Sequence, residues 1–319
     1  MLKRKIINKI IVASSALFAL FLIYLIPNEE VKELEVPQNL EYINLDVNTN
    51  SIFLLDDNNY LGKALVVINS VEVEDKAKEL LEVLINGGVG ESRIPSGFRA
   101  ILPSETKILS TQYKDNLIKI DFSKDLLNIS KELEEKMVEA IVYTLTTIDE
   151  IDKVIIYVEG EILTKLPQTN INLPSTLDRN FGINKESNLT NTKDINQVTI
   201  YYINKYNDNT YYVPVTKYLN SNRDKISVII DELTSSTSYN GNLMSYLNNN
   251  TKLLAVEEKS DIMELTFNSY IFDDIENKDI LEEVIYTICL SIKDNYDVNE
   301  VVFDYEDEEI YKSVLKTLE

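Results

Sequence analysis

The side chains in this sequence that could carry out acid-base or nucleophilic catalysis are mainly carboxylates and one thiol. Its 319 residues include 53 Asp and Glu, one Cys and no His. Without His the chain has no Ser-His-Asp triad, Cys-His dyad or His-ligated zinc site, and a single Cys cannot form a disulfide within the chain. Cys289 lies on an apolar helix face between Val284 and Ile292, which favours a small core residue over a nucleophile. Only carboxylate chemistry stays open, and we expect a non-enzymatic protein that needs no cofactor and no metal.

An acidic run near the end of the chain is the first candidate for such chemistry. It could hold a divalent cation or supply an acid and a base, but successive strand residues point to opposite faces, and the spacing of a calcium-binding loop is missing. A solvated surface is the favoured interpretation. The run consists of Asp304, Glu306, Asp307, Glu308 and Glu309.

A glycine-rich loop at residues 87–103 is the second candidate. It lacks the Gly-Lys-Ser/Thr ending of a phosphate-binding loop and does not open a helix as a dinucleotide fingerprint does, so we predict no nucleotide site. Long loops on small domains often serve recognition, and Arg and Phe are residue types that anchor interfaces. Arg93, Phe98 and Arg99 therefore form a possible partner-binding loop.

Tyrosine is unusually frequent, with 19 residues in the chain. Four of them, Tyr201, Tyr202, Tyr211 and Tyr212, fall in one predicted hairpin, where they could stack on sugar or peptide. Aromatic cross-strand pairs are also ordinary stabilisers of sheets, and this structural interpretation is favoured.

The net charge of −22 argues against nucleic acid as a partner, since an acidic field repels phosphate backbones. Solubility is the favoured explanation of the charge, and a surface for a basic partner is the alternative.

An apolar stretch at residues 10–26 follows Lys3, Arg4 and Lys5, which predicts a transmembrane helix with its N-terminus in the cytoplasm and the bulk of the chain outside. The following residues lack the small-residue pattern of a signal-peptidase site, so an uncleaved single-pass anchor is favoured over a signal peptide. The predicted domains are a cytoplasmic tip and anchor at residues 1–27 and a polar spacer at residues 28–50.

Two copies of one unit follow, at residues 51–166 and 197–319, and each is predicted as a small mixed sheet with two helices in the order ββαββαβ. The class is α+β. The inward residues of one strand, Ile118, Ile120 and Phe122, align with Met263, Leu265 and Phe267, and a slip of one residue would turn every side chain to the wrong face. The helix segment 141–145 aligns with 284–288, and Ser130 can cap the helix that contains the first of these segments. The earlier helix of the first copy has one apolar face, formed by Ala77, Leu80, Leu81, Leu84 and Ile85. Between the copies, the Asn/Thr-rich residues 167–196 are predicted as a linker that leaves the orientation free unless an interface holds it.

Four segments of the first copy resemble the GerM domain of Gram-positive sporulation and germination proteins in order and spacing. They are residues 102–109, 118–125, 141–146 and 154–161. The second copy keeps the pattern at residues 250–254, 265–269 and 284–287, but it lacks the Leu-Pro pair before Thr251 and replaces the Glu-Gly turn with Glu306-Asp307. The matching residues are strands, turns and a helix face, so the resemblance identifies a fold.

The resemblance implies an extracytoplasmic, membrane-attached protein that works through protein contact, because the family's fold is similar to the ring-building modules of the sporulation channel. We therefore expect a binding or scaffold protein whose partner is an envelope protein of a sporulation-type complex. The alternative is a cell-wall module that binds peptidoglycan, or a wall hydrolase acting through two carboxylates, which would need them about 5 to 10 Å apart in a cleft.

Overall fold

The computed structural model describes residue 15 and residues 48–235, 242–306 and 308–317. Apart from Ser15, the predicted membrane segment lies outside these residues, as does the spacer before residue 48, and both stay predictions. Among the described residues, no helix is long and apolar enough to cross a bilayer.

Apart from the two-residue strand Phe98–Arg99 of the first copy, the described helices and longer strands follow the same order in the two copies. The first contains β1 (Thr49–Asp56), β2 (Leu61–Val67), α1 (Val73–Leu84), the two-residue β3 (Phe98–Arg99), β4 (Ile108–Lys114), β5 (Leu117–Phe122), α2 (Lys131–Leu145), β6 (Lys153–Val158) and β7 (Glu161–Ile162). The short β8 (Glu186–Ser187) follows, and then β9 (Ile195–Tyr206), β10 (Asn209–Asn220), α3 (Lys225–Thr234), β11 (Leu253–Lys259), β12 (Ile262–Phe267), α4 (Glu282–Asn295), β13 (Glu300–Tyr305) and β14 (Glu308–Val314). The predicted ββαββαβ order is present in both, and each copy has one further strand at its end.

Three sheets arise from these strands. Each copy builds its own four-stranded mixed sheet, ordered β4-β5-β6-β7 and β11-β12-β13-β14, in which the central pair is parallel and the outer pairs are antiparallel. The first hairpins of the two copies do not join those sheets. They meet edge to edge in a shared sheet, where β2 of the first copy pairs with β10 of the second.

The predicted inward faces are buried. Ile118, Ile120 and Phe122 are fully covered, and their counterparts Met263, Leu265 and Phe267 are at most 1% exposed. On α1 the apolar face Ala77, Leu80, Leu81 and Leu84 is also completely buried. Alternation and helical spacing thus identified which side of each element meets the core.

Two local expectations were wrong. Ser130 occupies the N-cap position of α2, but its side chain makes no capping hydrogen bond. The helix alignment is displaced by one turn: Thr144 accepts a hydrogen bond from the backbone of Phe53, and the corresponding hydroxyl in the second copy is that of Ser291, which accepts from Tyr201. An apolar helix face repeats every three to four residues, so sequence similarity alone does not distinguish adjacent turns.

The segment at residues 167–196 packs against both copies. Leu173, Leu177 and Ile183 are at most 6% exposed, and β8 pairs in parallel with Lys217 and Tyr218 of β10. The interface that the sequence left open therefore exists, and it holds the two copies in one docked arrangement.

Candidate functional site

Several buried polar side chains lie at the junction between the copies, among them Asp56, Glu139 and Asn204. Strands β2 and β10 are corresponding strands of the two hairpins, and they pair antiparallel through Lys63 and Tyr212. Antiparallel pairing of equivalent strands relates the two copies by an approximate twofold axis, as in an isologous dimer interface. The ladder cannot continue through Pro214, because proline has no N–H to donate.

Asn184 of the connecting segment occupies the point where the ladder stops. Its Nδ2 donates to the carbonyl oxygens of Leu61 and Pro214 at 2.9 and 2.8 Å, and its Oδ1 accepts from the N–H of Leu61 at 2.9 Å. The Asn184 side chain thus makes the hydrogen bonds that a neighbouring strand would otherwise make to Leu61 of the first copy and Pro214 of the second. Asn suits the position for a second reason, since the backbone of Asn184 has φ +47°, a left-handed conformation that Asn tolerates better than most residues.

Charged groups surround Asn184. Glu139 of α2, only 2% exposed, accepts from the N–H of Asn184 at 2.8 Å and lies 3.8 Å from the ammonium of Lys185. Burial raises the pKa of Glu139 to about 7, although Lys185, Asn184 and Lys136 act in the opposite direction. Burial also lowers the pKa of Lys136, whose Nζ donates to Asn184 Oδ1 at 3.0 Å.

Asp56 makes a second set of bonds across the junction. It is fully buried at the end of β1, where Oδ1 accepts from the N–H groups of Asn58 and Tyr60 in its own turn. Its Oδ2 accepts from Asn204 Nδ2 at 3.0 Å and from the hydroxyl of Tyr211 at 2.9 Å, both in the second copy. Burial, together with the charge of Asp56, raises the pKa of Tyr211, so this phenol remains a donor.

Arg179 of the connecting segment makes the third set. It forms an ion pair with Asp294 of α4, a carboxylate whose side chain is 2% exposed and which also accepts from the hydroxyl of Tyr201. The guanidinium lies 4.9 Å from the ring centre of Tyr143 in the first copy. Burial alone would lower the pKa of Arg179, but the attraction of Asp294 outweighs it and the net shift is upward.

A cavity of about 360 Å³ opens beside this ion pair. Both copies and the connecting segment contribute to its walls, which include Lys63 and Lys76 from the first copy, Lys293 and Lys316 from the second, and Arg179 between them. Three carboxylates, Asp149, Glu150 and Asp294, also line it. This cavity depends on the docked arrangement, because neither copy alone supplies its walls.

The residues of the predicted partner-binding loop do not form one surface. Arg93 is held at 2.5 Å by Glu79 of α1 and reaches the carbonyl of Val67, whereas Arg99 pairs with Asn59 at the opposite end of the β1-β2 hairpin. Phe98 packs edge-on against Tyr211 of the second copy, with ring centres 4.8 Å apart. Phe98 therefore serves the junction inside the chain, and the use of this loop by an external partner stays a prediction.

The other candidate residues have mainly structural surroundings. Cys289 is fully buried, and burial raises the pKa of its thiol to about 12. The four tyrosines of the second hairpin pack in or at the core, Tyr212 in a stacked pair with Tyr286 at 5.6 Å. In the acidic run, Glu308 pairs with Lys278. No group of three or more acidic or Cys side chains within the described residues is arranged to hold a metal ion.

Sequence reasoning missed Asn184, Asp56 and Arg179, because each acts on partners far away along the chain. Pro214 was the one available signal. A proline inside a strand pattern indicates an edge or an interrupted ladder, and here the interruption is the junction itself.

Comparisons with known proteins agree with this architecture. The family Germane, described as "Sporulation and spore germination", matches residues 51–164 and 199–311. The spore germination protein GerM of Bacillus subtilis is 34% identical over 256 residues, which are 78% of this chain and 69% of that protein. The solved structure of the tandem GerMN domains of B. subtilis GerM superimposes with a TM-score of 0.75 at 31% identity, covering 82% of this chain and 92% of that one.

Proposed function

Because the chain belongs to the Germane family of sporulation and spore germination proteins, we propose that it is a non-catalytic scaffold of the bacterial envelope that binds a protein partner. In this proposal residues 10–26 anchor it in the cell membrane, and the two domains stand on the extracytoplasmic side of a Gram-positive cell. The observation that carries the proposal is the junction, in which hydrogen bonds and an ion pair join both copies and the connecting segment. It fixes two domains as one body, which suits the presentation of a binding surface at a defined angle.

An exposed sheet edge supports binding by strand addition. Strand β11 lies at the edge of its sheet, and β12 is its one strand partner among residues 242–306. Its side chains Leu254 and Val256 are 62% and 39% exposed. Unpaired edge strands with exposed apolar side chains are unusual in proteins that remain alone, because such edges invite pairing. An extended segment of a partner would gain main-chain hydrogen bonds there.

The matching edge of the first copy is less accessible. Glu74 at the start of α1 accepts a hydrogen bond of 2.7 Å from the N–H of Tyr113 on β4, so part of that edge is already occupied. Strand addition is therefore assigned to the second copy. The first copy would serve to position it.

The carboxylates favour a scaffold over a wall hydrolase. A carboxylate acid catalyst needs a raised pKa in an accessible cleft. Among the described carboxylates, the pKa is raised for the buried Glu139 and for Asp304 on β13, through burial in both cases, and neither residue lines the junction cavity. Asp294, which does line it, is occupied by Arg179 and Tyr201.

Site-specific crosslinking tests the proposal. A photoreactive residue in place of Leu254, in the full chain expressed in its host, should capture one envelope protein. The matched control is Tyr270, an apolar side chain of the same copy that is 51% exposed but lies outside any strand. The same substitution there should capture nothing specific. Identical crosslinks at both positions, or none at Leu254, would refute strand addition at β11.

Sedimentation with purified peptidoglycan distinguishes the scaffold from the alternative function, a cell-wall module or wall hydrolase. The scaffold proposal expects the full chain to remain in solution when peptidoglycan is sedimented. Saturable co-sedimentation would favour a wall-binding module, and release of soluble muropeptides would favour a hydrolase.

A further inference from the structure

We propose that the junction cavity binds a small anion carrying two linked phosphate groups, held between lysines from both copies. This site is independent of the strand addition at β11, which lies in another sheet. Its volume of about 360 Å³ falls within the range of small-ligand pockets, which run from roughly 300 to 1,000 Å³.

Charge is the first argument for an anion. The chain carries a net charge of −22, yet this cavity gathers five basic and three acidic side chains. One of the acids, Asp294, is neutralised by Arg179, and their ion pair forms part of the wall. The lysines therefore outnumber the remaining carboxylates, Asp149 and Glu150. A positive cleft within a negative protein focuses the field and selects anionic ligands.

The placement of the lysines is the second argument. Lys63 and Lys76 stand on the wall formed by the first copy, and Lys293 and Lys316 stand on the wall formed by the second. The lysines of one wall would be enough to bind a ligand with a single charge. A ligand with two phosphate groups engages both, and each phosphate offers three or more oxygens to ammonium groups that act as point charges.

The neighbouring polar groups fit the same ligand. Asn48 and Ser51 line the cavity, and their amide and hydroxyl groups are donors for phosphate oxygens. Apolar side chains contribute little to this wall, so the ligand would be recognised through charge and hydrogen bonds. The source could be a soluble diphosphate or the diphosphate headgroup of a lipid, which share this chemistry.

Calorimetric titration of the full chain, kept in a non-ionic detergent because of its apolar residues 10–26, provides the test. Sodium pyrophosphate in a buffer without divalent cations should bind saturably with one site per chain. The variants Lys63→Gln/Lys76→Gln and Lys293→Gln/Lys316→Gln should each weaken binding by about tenfold or more, the loss expected when charged hydrogen bonds are removed.

The control variant is Lys259→Gln/Lys312→Gln. It makes the same change in net charge, but both lysines are exposed and pair with Glu264 and Glu300 outside the cavity. It should bind pyrophosphate within about twofold of the unmodified chain, because distant surface charges are screened by salt. Thermal unfolding without ligand should show that all three variants are folded.

Three results would overturn the inference: no saturable binding of pyrophosphate, equal weakening in the control variant, or citrate binding as tightly as pyrophosphate. Binding to lipid vesicles distinguishes a lipid headgroup from a soluble diphosphate as the source of the ligand. Selective recruitment of the chain to vesicles that contain a diphosphate lipid, competed by pyrophosphate, supports a lipid headgroup. Pyrophosphate binding without such recruitment supports a soluble ligand, and both outcomes uphold the diphosphate site.

Discussion

Asn184 donates a hydrogen bond of 2.8 Å from its side-chain amide to the carbonyl oxygen of Pro214, and the same amide serves Leu61 in the other copy. A residue of the connecting segment thus completes a sheet that neither copy completes alone. The bond explains how a strand with a central proline can lie at an interface between two hairpins, since the missing N–H of Pro214 leaves room for the inserted side chain.

Replacing Asn184 with Gly should lower the free energy of unfolding by about 3 kcal/mol, because three buried backbone groups of Leu61 and Pro214 lose their partner. Gly accepts the left-handed backbone of this position without strain, so the loss reports on the side chain. Urea unfolding followed by tyrosine fluorescence measures it in the full chain, which has no Trp. Asn170→Gly is the control, because Asn170 has φ +60° and is exposed. Equal stability of the two variants would contradict the assigned role.

Asp56 and Tyr211 should be energetically coupled across the junction. Asp56→Asn removes the carboxylate that accepts the 2.9 Å bond and Tyr211→Phe removes the hydroxyl that donates it, and a double-mutant cycle should give a coupling free energy of about 1 to 2 kcal/mol. Tyr211→Phe keeps the ring that packs on Phe98, so the cycle isolates the hydroxyl. A second cycle of Asp56→Asn with Tyr113→Phe, on strand β4, should be additive. Additivity in the first cycle would show that the bond contributes nothing to docking.

Gly97 should resist substitution more strongly than Gly160. Both have positive φ, +91° and +80°, so an alanine at either position is strained by about 1 to 2 kcal/mol. At Gly97, a Cβ would also lie 2.4 Å from Cγ of Tyr206 in the second copy, whereas at Gly160 it would meet nothing within 4 Å. Gly97→Ala should therefore lower the melting temperature clearly more than Gly160→Ala. Similar melting temperatures would mean that the Gly97 loop does not pack tightly on Tyr206.

Glu139 should make stability depend on pH near neutrality. Burial raises its pKa from an ordinary 4.5 to about 7, so the folded state holds a proton that the unfolded state has lost between these values. The favourable contribution of the protonated form is complete below about pH 4.5 and is lost as pH rises through about 7. Glu139→Gln should remove this loss, so the difference in unfolding free energy between variant and unmodified chain should grow with pH across that window.

The control for this measurement is Glu132→Gln at an exposed position of the same helix, α2. Its difference from the unmodified chain should stay constant with pH. A constant difference for Glu139→Gln as well would indicate that Lys136 and Lys185 keep Glu139 ionised in the folded state.

Much of the local structure was accessible from the sequence. The inward triplet Ile118, Ile120 and Phe122 followed from a period of two, and the apolar face of α1 followed from a period of 3.6. The capping bond of Ser130 and the helix alignment failed because each depends on geometry within a turn. The final strands β7 and β14 were missed, since their exposed and acidic residues carry no buried periodic pattern.

The sequence by itself determined the two copies, the faces they bury, their family and the exclusion of His- and disulfide-based chemistry. Tertiary structure alone decided how the copies dock and where a cavity forms. The deciding contacts join residues far apart in the chain, 123 positions for Asn184 with Leu61 and 155 for Asp56 with Tyr211. Periodicity reports that a face is buried but not what covers it. A polar side chain that is satisfied only by a distant partner leaves no local pattern to read.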